Sequence, residues 1–171
     1  MSIVLAGYRG SGKTTVGRLL GQRLDRPFVD CDLLIVQRAG KSIREIFSQQ
    51  GERAFRRLES RVVRELAGLV DHVIALGGGA LESPENRRVI ADAKHAVIYL
   101  RCHPPELLRR IAADATTSDN RPNLTGLGGG LAEIETLLAQ REPIYRSAMT
   151  AELDVTHLTP SQAVDHIVRI L

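Results

Sequence analysis

The residues best suited to chemistry lie at the start of the chain, where Gly7-Tyr8-Arg9-Gly10-Ser11-Gly12-Lys13-Thr14 follows the apolar run Ile3-Val4-Leu5-Ala6. The pattern is G-x-x-x-x-G-K-[ST] between a strand signal and a helix signal, the context in which it binds phosphate. Glycines let the backbone bend until successive N–H groups point inward at phosphate oxygens. The helix opening near Lys13 adds the positive end of its dipole. Lys13 can reach the β- and γ-phosphates, and the Thr14 hydroxyl is a hard ligand for Mg²⁺. Gly10, Ser11, Gly12, Lys13, Thr14 and Thr15 are therefore the expected contacts of a nucleoside triphosphate carrying Mg²⁺.

Further candidates follow the later apolar runs. Asp30 and Asp32 close the second run, Phe28-Val29. Residues two apart point the same way while the backbone stays extended. One carboxylate can then serve a metal and the other can orient a substrate hydroxyl or take its proton. The same place in the chain also suits an Asp that caps the next helix. Gly77-Gly78-Gly79 closes the run His72-Val73-Ile74-Ala75-Leu76 and puts bare backbone where a ligand can approach. No acidic residue stands there, so the metal role falls to Asp30. Arg56, Arg57 and Arg141 carry guanidinium forks of the kind that grip carboxylates at two points. Glu59, three residues after Arg56, is spaced to hold that guanidinium. Arg121 stands in a polar stretch, where a cation arriving on closure would stabilise charge during phosphoryl transfer. The histidines have no metal-ligand spacing, and His103 and His157 are expected on the surface or in loops.

Placing these groups together calls for an alternating α/β scaffold. Strands are expected at 2–6, 27–29, 72–76, 96–100 and 152–156. Helices are expected at 13–24, 32–39, 43–49, 52–69, 84–91, 104–113, 131–145 and 160–171. Phe55, Leu58, Val62 and Leu66 mark one apolar face of the helix after Gly51. Strands separated by helices make a parallel sheet covered on both faces. Ligands of such sheets bind beyond the carboxyl ends of the strands, where the phosphate loop, Asp30/Asp32 and Gly77–Gly79 should converge. The stretch of about 112–130, ending in Gly126-Leu127-Gly128-Gly129-Gly130, breaks the pattern and is expected to be a mobile lid.

With 171 residues, 43% of them hydrophobic and 25% charged, the chain is expected to form one domain over 1–171. Cys31 and Cys102 stand far apart and outside any C-x-x-C, so neither a zinc site nor a disulfide framework is indicated. No apolar run approaches the roughly 20 residues that span a bilayer, and the first strand leaves no room for a signal peptide. A cytoplasmic protein without a membrane partner is the expectation. The net charge of +3 rests on arginine, since the only lysines are Lys13, Lys41 and Lys94. Few aromatics and no dense basic run argue against a nucleic-acid partner, and arginines aimed at small anions explain the charge.

Taken in order, these segments resemble the shikimate kinases over nearly the whole chain. The resemblance rests on the phosphate loop with Thr14-Thr15-Val16-Gly17, on Phe28-Val29-Asp30-Cys31-Asp32 and on Gly40-Lys41-Ser42-Ile43-x-x-Ile46-Phe47. It continues through Gly51-Glu52-x-x-Phe55-Arg56-Arg57-x-Glu59, Leu76-Gly77-Gly78-Gly79-Ala80 and Arg141-Glu142-Pro143-Ile144-Tyr145. It implies a three-layer P-loop kinase fold, with a five-stranded parallel sheet flanked by helices, a lid, and a substrate-binding helical segment at about 31–61. It implies phosphorylation of the 3-hydroxyl of shikimate by Mg-ATP, on the route to chorismate and the aromatic amino acids. By the same resemblance Asp32 would bind the shikimate hydroxyls and act as base, with Lys13 and Arg121 completing the catalytic set. Arg56 and Arg141 would grip the carboxylate, and Gly77, Gly78 and Gly79 would meet the ring through the backbone. Asp30 would act with Thr14 on Mg²⁺. Arg110 would lie against adenine, in a pocket lined by the loop from Thr156 to Pro160. ATP and shikimate would be the partners of a monomer. The chain departs from the family in reading Arg121-Pro122-Asn123-Leu124, where two leucines usually follow the proline.

Two other readings stand beside this one. A sister P-loop kinase would act on gluconate, a nucleotide or adenylylsulfate. A nucleotide-dependent switch or a binding-only relative would not transfer phosphate at all. The chain lacks an Asn-Lys-x-Asp guanine-reading motif, and it keeps Lys13, Asp32 and both clamp arginines.

Overall fold

The computed structural model describes residues 1–114 and 130–171. Alternation along the strands decides the layers. In β1 (Ile3–Ala6), Ile3 and Leu5 turn to one face of the sheet, Val4 and Ala6 turn to the other, and all four are buried. With β2 (Phe28–Asp30), β3 (Val73–Ala75), β4 (Ala96–Arg101) and β5 (Ala151–Asp154), β1 forms a five-stranded sheet in the order β2-β3-β1-β4-β5. Every pairing is parallel, with Leu5 opposite Ala75 on one side and Ile98 on the other. Both faces are covered, which is why the central strands read as unbroken apolar runs.

The Ile3/Leu5 face is covered by α1 (Lys13–Leu24), α6 (Pro104–Ala113) and α8 (Pro160–Ile170), through Leu20, Leu107, Val164 and Ile167. The Val4/Ala6 face is covered by α2 (Cys31–Ala39), α3 (Ile43–Gln50), α4 (Glu52–Ala67) and α5 (Pro84–Asp92), through Ile35, Ile46, Leu66 and Ile90. Among the described residues one helix serves both layers. In α7 (Leu131–Ala148), Ile134, Leu137 and Leu138 join the first core and Tyr145 joins the second. Arg141 falls between these two sets.

Three differences from the sequence reading have clear causes. First, α2 begins at Cys31, so the chain has left the extended state between Asp30 and Asp32, and strand alternation does not align the two carboxylates. Second, α7 runs past the expected end at 145 to Ala148, with Pro143 inside it. The ring removes a helical donor, and the buried Tyr145 anchors the turn that follows. Third, β5 ends at Asp154 rather than 156, because Asp154 Oδ1 accepts from the Thr156 N–H at 3.0 Å and from its hydroxyl at 2.6 Å, a local turn that competes with the ladder. The 3₁₀ turn at Ala80–Glu82 was not anticipated.

Candidate active site

Within the phosphate loop Gly7, Gly10 and Gly12 have φ of 145°, 83° and 92°, values that side chains rarely adopt. At Gly7 space alone is decisive, since a Cβ would lie 2.7 Å from the Leu100 carbonyl oxygen. Lys13 folds back over the turn, its Nζ donating to the carbonyls of Gly7 at 2.8 Å and Tyr8 at 2.9 Å. The ammonium is thereby held at the mouth of the loop. The Thr14 hydroxyl donates to Asp30 Oδ2 at 2.6 Å. The other oxygen of Asp30 accepts from the Asp32 and Leu33 N–H groups at 2.9 and 3.2 Å and caps α2. Asp30 is thus a helix cap and a partner of the loop threonine at once. Two hard oxygens side by side fit Mg²⁺, which takes one or two protein ligands and completes its shell with phosphate and water. Among the described residues no cluster of three or more His, Cys, Asp or Glu is placed to hold a metal ion.

From the loop a cleft of about 1990 Å³, open mouth included, runs toward Arg110, Val155, Leu158 and Pro160. Arg110 is a strut on its wall. Its Nε donates to Glu106 at 2.7 Å, and Nη2 donates to the Val155 and Thr156 carbonyls at 2.8 and 3.2 Å. The Thr156 side chain faces inward instead, bonded to Asp154 and accepting from the His103 N–H at 3.2 Å. Thr159 caps α8 beside Pro160, so this end of the cleft rests on a fixed helix start.

A second, smaller cavity of about 510 Å³ lies between the phosphate loop, Gly78-Gly79, Arg56 and Arg141, with an apolar wall of Ile43, Phe47 and Phe55. The two phenylalanine rings are 4.8 Å apart. Arg56 is held by Glu59 at 2.9 Å, by Glu52 at 3.2 Å and by Glu82 at 3.5 Å. Burial works against the charge on Arg56, but these carboxylates outweigh it and its pKa is raised. Burial also pushes Glu59 up, opposed by the facing Arg56. Arg141 is buried, donates from Nε to Glu82 at 2.5 Å, and lies 5.7 Å from the centre of the Tyr8 ring. The Tyr145 hydroxyl donates to the Gly78 carbonyl at 2.5 Å and fixes the glycine turn.

A Cβ at Gly79 would stand 2.7 Å from Arg56 Nη1 and 3.2 Å from Arg141 Nη2, so a side chain there would displace the guanidinium groups. Gly77 does not line the cavity; its missing side chain leaves room for Asp32 and Glu59, whose oxygens lie 2.8 and 2.9 Å from the Cβ it lacks. Asp32 and Arg9 border both the cleft and the cavity. Of the residues singled out in the sequence, Lys13, Thr14, Asp30, Asp32, Arg56, Gly78, Gly79 and Arg141 converge at the carboxyl ends of β1, β2 and β3. Arg57 is exposed and outside both hollows. Arg121 and the expected lid, apart from 112–114 and Gly130, lie outside the described residues, and Ala112 and Ala113 close α6. Sequence reasoning missed Glu82, as well as Tyr8 and Arg9 as wall residues. The only signal for Tyr8 and Arg9 was their place inside the loop motif.

The family model of shikimate kinase matches residues 9–171. Among curated relatives, the shikimate kinase of Rhodopirellula baltica is 39% identical over 167 residues, covering 98% of this chain and 88% of its own. That of Mycobacterium avium is 42% identical, with 96% and 90% covered. Shikimate kinase from Acinetobacter baumannii, solved in complex with shikimate, superposes with a TM-score of 0.91 at 32% identity, over 99% of this chain and 91% of that one. The enzyme from Aquifex aeolicus gives 0.81 at 30% identity, over 99% and 95%. With the phosphate loop, the guanidinium pair and the parallel sheet all in place, the chain belongs to the shikimate kinase family.

Proposed function

We propose that this chain transfers the γ-phosphate of ATP to the 3-hydroxyl of shikimate, giving shikimate 3-phosphate and ADP. One observation carries the reading. A cleft bordered by the phosphate loop and a cavity bordered by two guanidinium groups adjoin each other, and Asp32 and Arg9 border both. A phosphoryl donor and a small hydroxy acid placed there would meet at Asp32.

The roles follow from what each group can do. The backbone N–H groups of Gly10–Thr15 and the Lys13 ammonium take the phosphates of ATP. Thr14 and Asp30 would hold Mg²⁺, which when bound neutralises phosphate charge. Arg56 and Arg141 take the shikimate carboxylate, while the Gly78-Gly79 backbone lets the ring approach closely. Ile43, Phe47 and Phe55 face the apolar carbons of the ring and keep water out. The acceptor hydroxyl is then presented to Asp32, which accepts its proton as the oxygen attacks phosphorus. Arg121 stabilises the charge of the transferred group, as its place in the polar stretch suggests. The nucleotide base lies along Arg110 and the segment from 155 to 160. The whole chain acts as one domain, with 31–61 as its substrate-binding segment, and works as a monomer in the cytoplasm. No helix among the described residues is long and apolar enough to cross a membrane.

Phosphorus NMR of the reaction mixture tests both substrate and position. The reading predicts one new phosphomonoester whose phosphorus couples to the proton on C3 of shikimate. A phosphate on another hydroxyl, or none, contradicts it.

A further inference from the structure

Glu82 stands between the two arginines of the cavity, and nothing in the local sequence marks it. Its Oε1 accepts from Arg141 Nε at 2.5 Å and its Oε2 lies 3.5 Å from Arg56 Nη2. The two guanidinium groups crowd the same spot, both near the position of the absent Gly79 Cβ, so their nearest Nη atoms are within about 6 Å of each other. Two like charges this close repel, and Arg141 is buried, which sharpens the effect. A carboxylate with one oxygen on each cation removes that repulsion and sets their separation.

The backbone that carries Glu82 is fastened at several points. Ala80 and Leu81 are buried in the core. The Glu82 N–H donates to the Gly79 carbonyl at 3.0 Å, Asn86 Nδ2 donates to the Ala80 carbonyl at 2.8 Å, and Arg87 Nη1 donates to the carbonyls of Leu81 and Glu82 at 2.6 and 3.0 Å. The carboxylate therefore projects from a fixed base. It is not among the groups lining the cavity, so it sits behind the guanidinium groups rather than in the space a substrate would fill. On Arg141 it engages Nε, on the side of the guanidinium away from Nη1, which lies toward Gly78.

We propose that Glu82 is a positioning residue, a carboxylate bridge that holds Arg56 and Arg141 at the spacing and orientation needed to take the substrate carboxylate. The inference rests on the reading of those arginines as the carboxylate clamp. It predicts a selective effect. Glu82→Ala raises the KM for shikimate about tenfold, while kcat falls less than about threefold and the KM for ATP stays put. Glu82→Gln, which keeps one acceptor for Arg141 but no charge between the cations, falls between wild type and Glu82→Ala. The effect shrinks toward unity with methyl shikimate, which has no carboxylate for the clamp to read. A general loss of folding would lower the apparent kcat with shikimate and with the ester alike and leave both KM values unchanged.

Steady-state kinetics of Glu82→Ala, Glu82→Gln and Arg141→Lys, each with shikimate and its methyl ester, decide the matter. A raised shikimate KM in all three, reduced with the ester, supports the bridge. If Arg141→Lys raises it and neither Glu82 variant does, the bridge is overturned and the clamp stands. A lower shikimate KM in the Glu82 variants also overturns it, since Glu82 would then compete with substrate. If Arg141→Lys leaves the KM unchanged, the clamp reading fails and the bridge falls with it.

Discussion

Asp32 alone among the described carboxylates borders both hollows, and its proposed role as proton acceptor rests on this place rather than on its type. Asp32→Ala is expected to lower kcat by about 10²- to 10⁴-fold, the usual contribution of a positioned general base. ATP affinity should hold, since the proposed arrangement puts Asp32 against the acceptor rather than the phosphates. Steady-state kinetics with a nucleotide titration will check this, and near-normal turnover would remove Asp32 from the mechanism. Arg141→Lys is expected to raise the shikimate KM about tenfold or more, because one ammonium cannot reproduce a guanidinium fork. An unchanged KM would sink the clamp assignment. At this scale legibility followed sequence distance. Glu59 was readable as the partner of Arg56 because three residues along a helix bring side chains together. Glu82 was not, since it meets Arg56 and Arg141 from 26 and 59 residues away, and no spacing rule reaches that far. The cap at the end of β2 was readable, and the two oxygens of Asp30 divide between Thr14 and the α2 N–H groups, while its expected metal role stays a proposal.

The glycine turn after β3 and the start of α8 are the elements that set the two ends of the site. Gly79→Ala puts a methyl group 2.7 Å from Arg56 Nη1. The guanidinium can swing away, but only by loosening Glu59, so we expect the shikimate KM to rise about tenfold with the fold intact. Circular dichroism together with substrate titration tests this, and wild-type kinetics would mean that Arg56 moves freely. At the other end, Thr159 and Gln162 form a reciprocal cap on α8. Thr159→Ala should cost about 1 kcal/mol of stability and lower Tm by about 2–4 °C; no change would mean that water replaces the cap. Element types were legible because apolar runs of strand length alternate with helical spacing. Boundaries were less so. The end of α7 depends on Tyr145 reaching the opposite core and Gly78, and the 3₁₀ turn at Ala80–Glu82 depends on the glycines before it, both long-range facts.

Across the whole molecule, the order β2-β3-β1-β4-β5 sends the chain to opposite sides of β1, and the crevice beyond its carboxyl end is where such sheets bind ligands. Convergence of the loops could therefore be read from the alternation of elements, whereas the contact of α7 with both cores could not. Stability should carry one acid-sensitive component from the nucleotide side. Hydrogen bonds from Arg109 and Arg110 hold the Glu106 carboxyl down at about 2, against 4.5 for an ordinary glutamate. A folded-state pKa below the unfolded one adds stability above pH 4.5, and that stability is lost as pH falls toward 2. Glu106→Gln should therefore flatten the fall of Tm over this window, as read by thermal melts. An unaltered slope would show that solvent screens the pair fully. The central claim is phosphoryl transfer from ATP to shikimate, and the most direct test is ADP release from Mg-ATP with shikimate, gluconate, a nucleoside monophosphate or no acceptor. The account predicts rapid release with shikimate and background release in the other three. Equal release without acceptor, or turnover with gluconate or a nucleotide in place of shikimate, would contradict it.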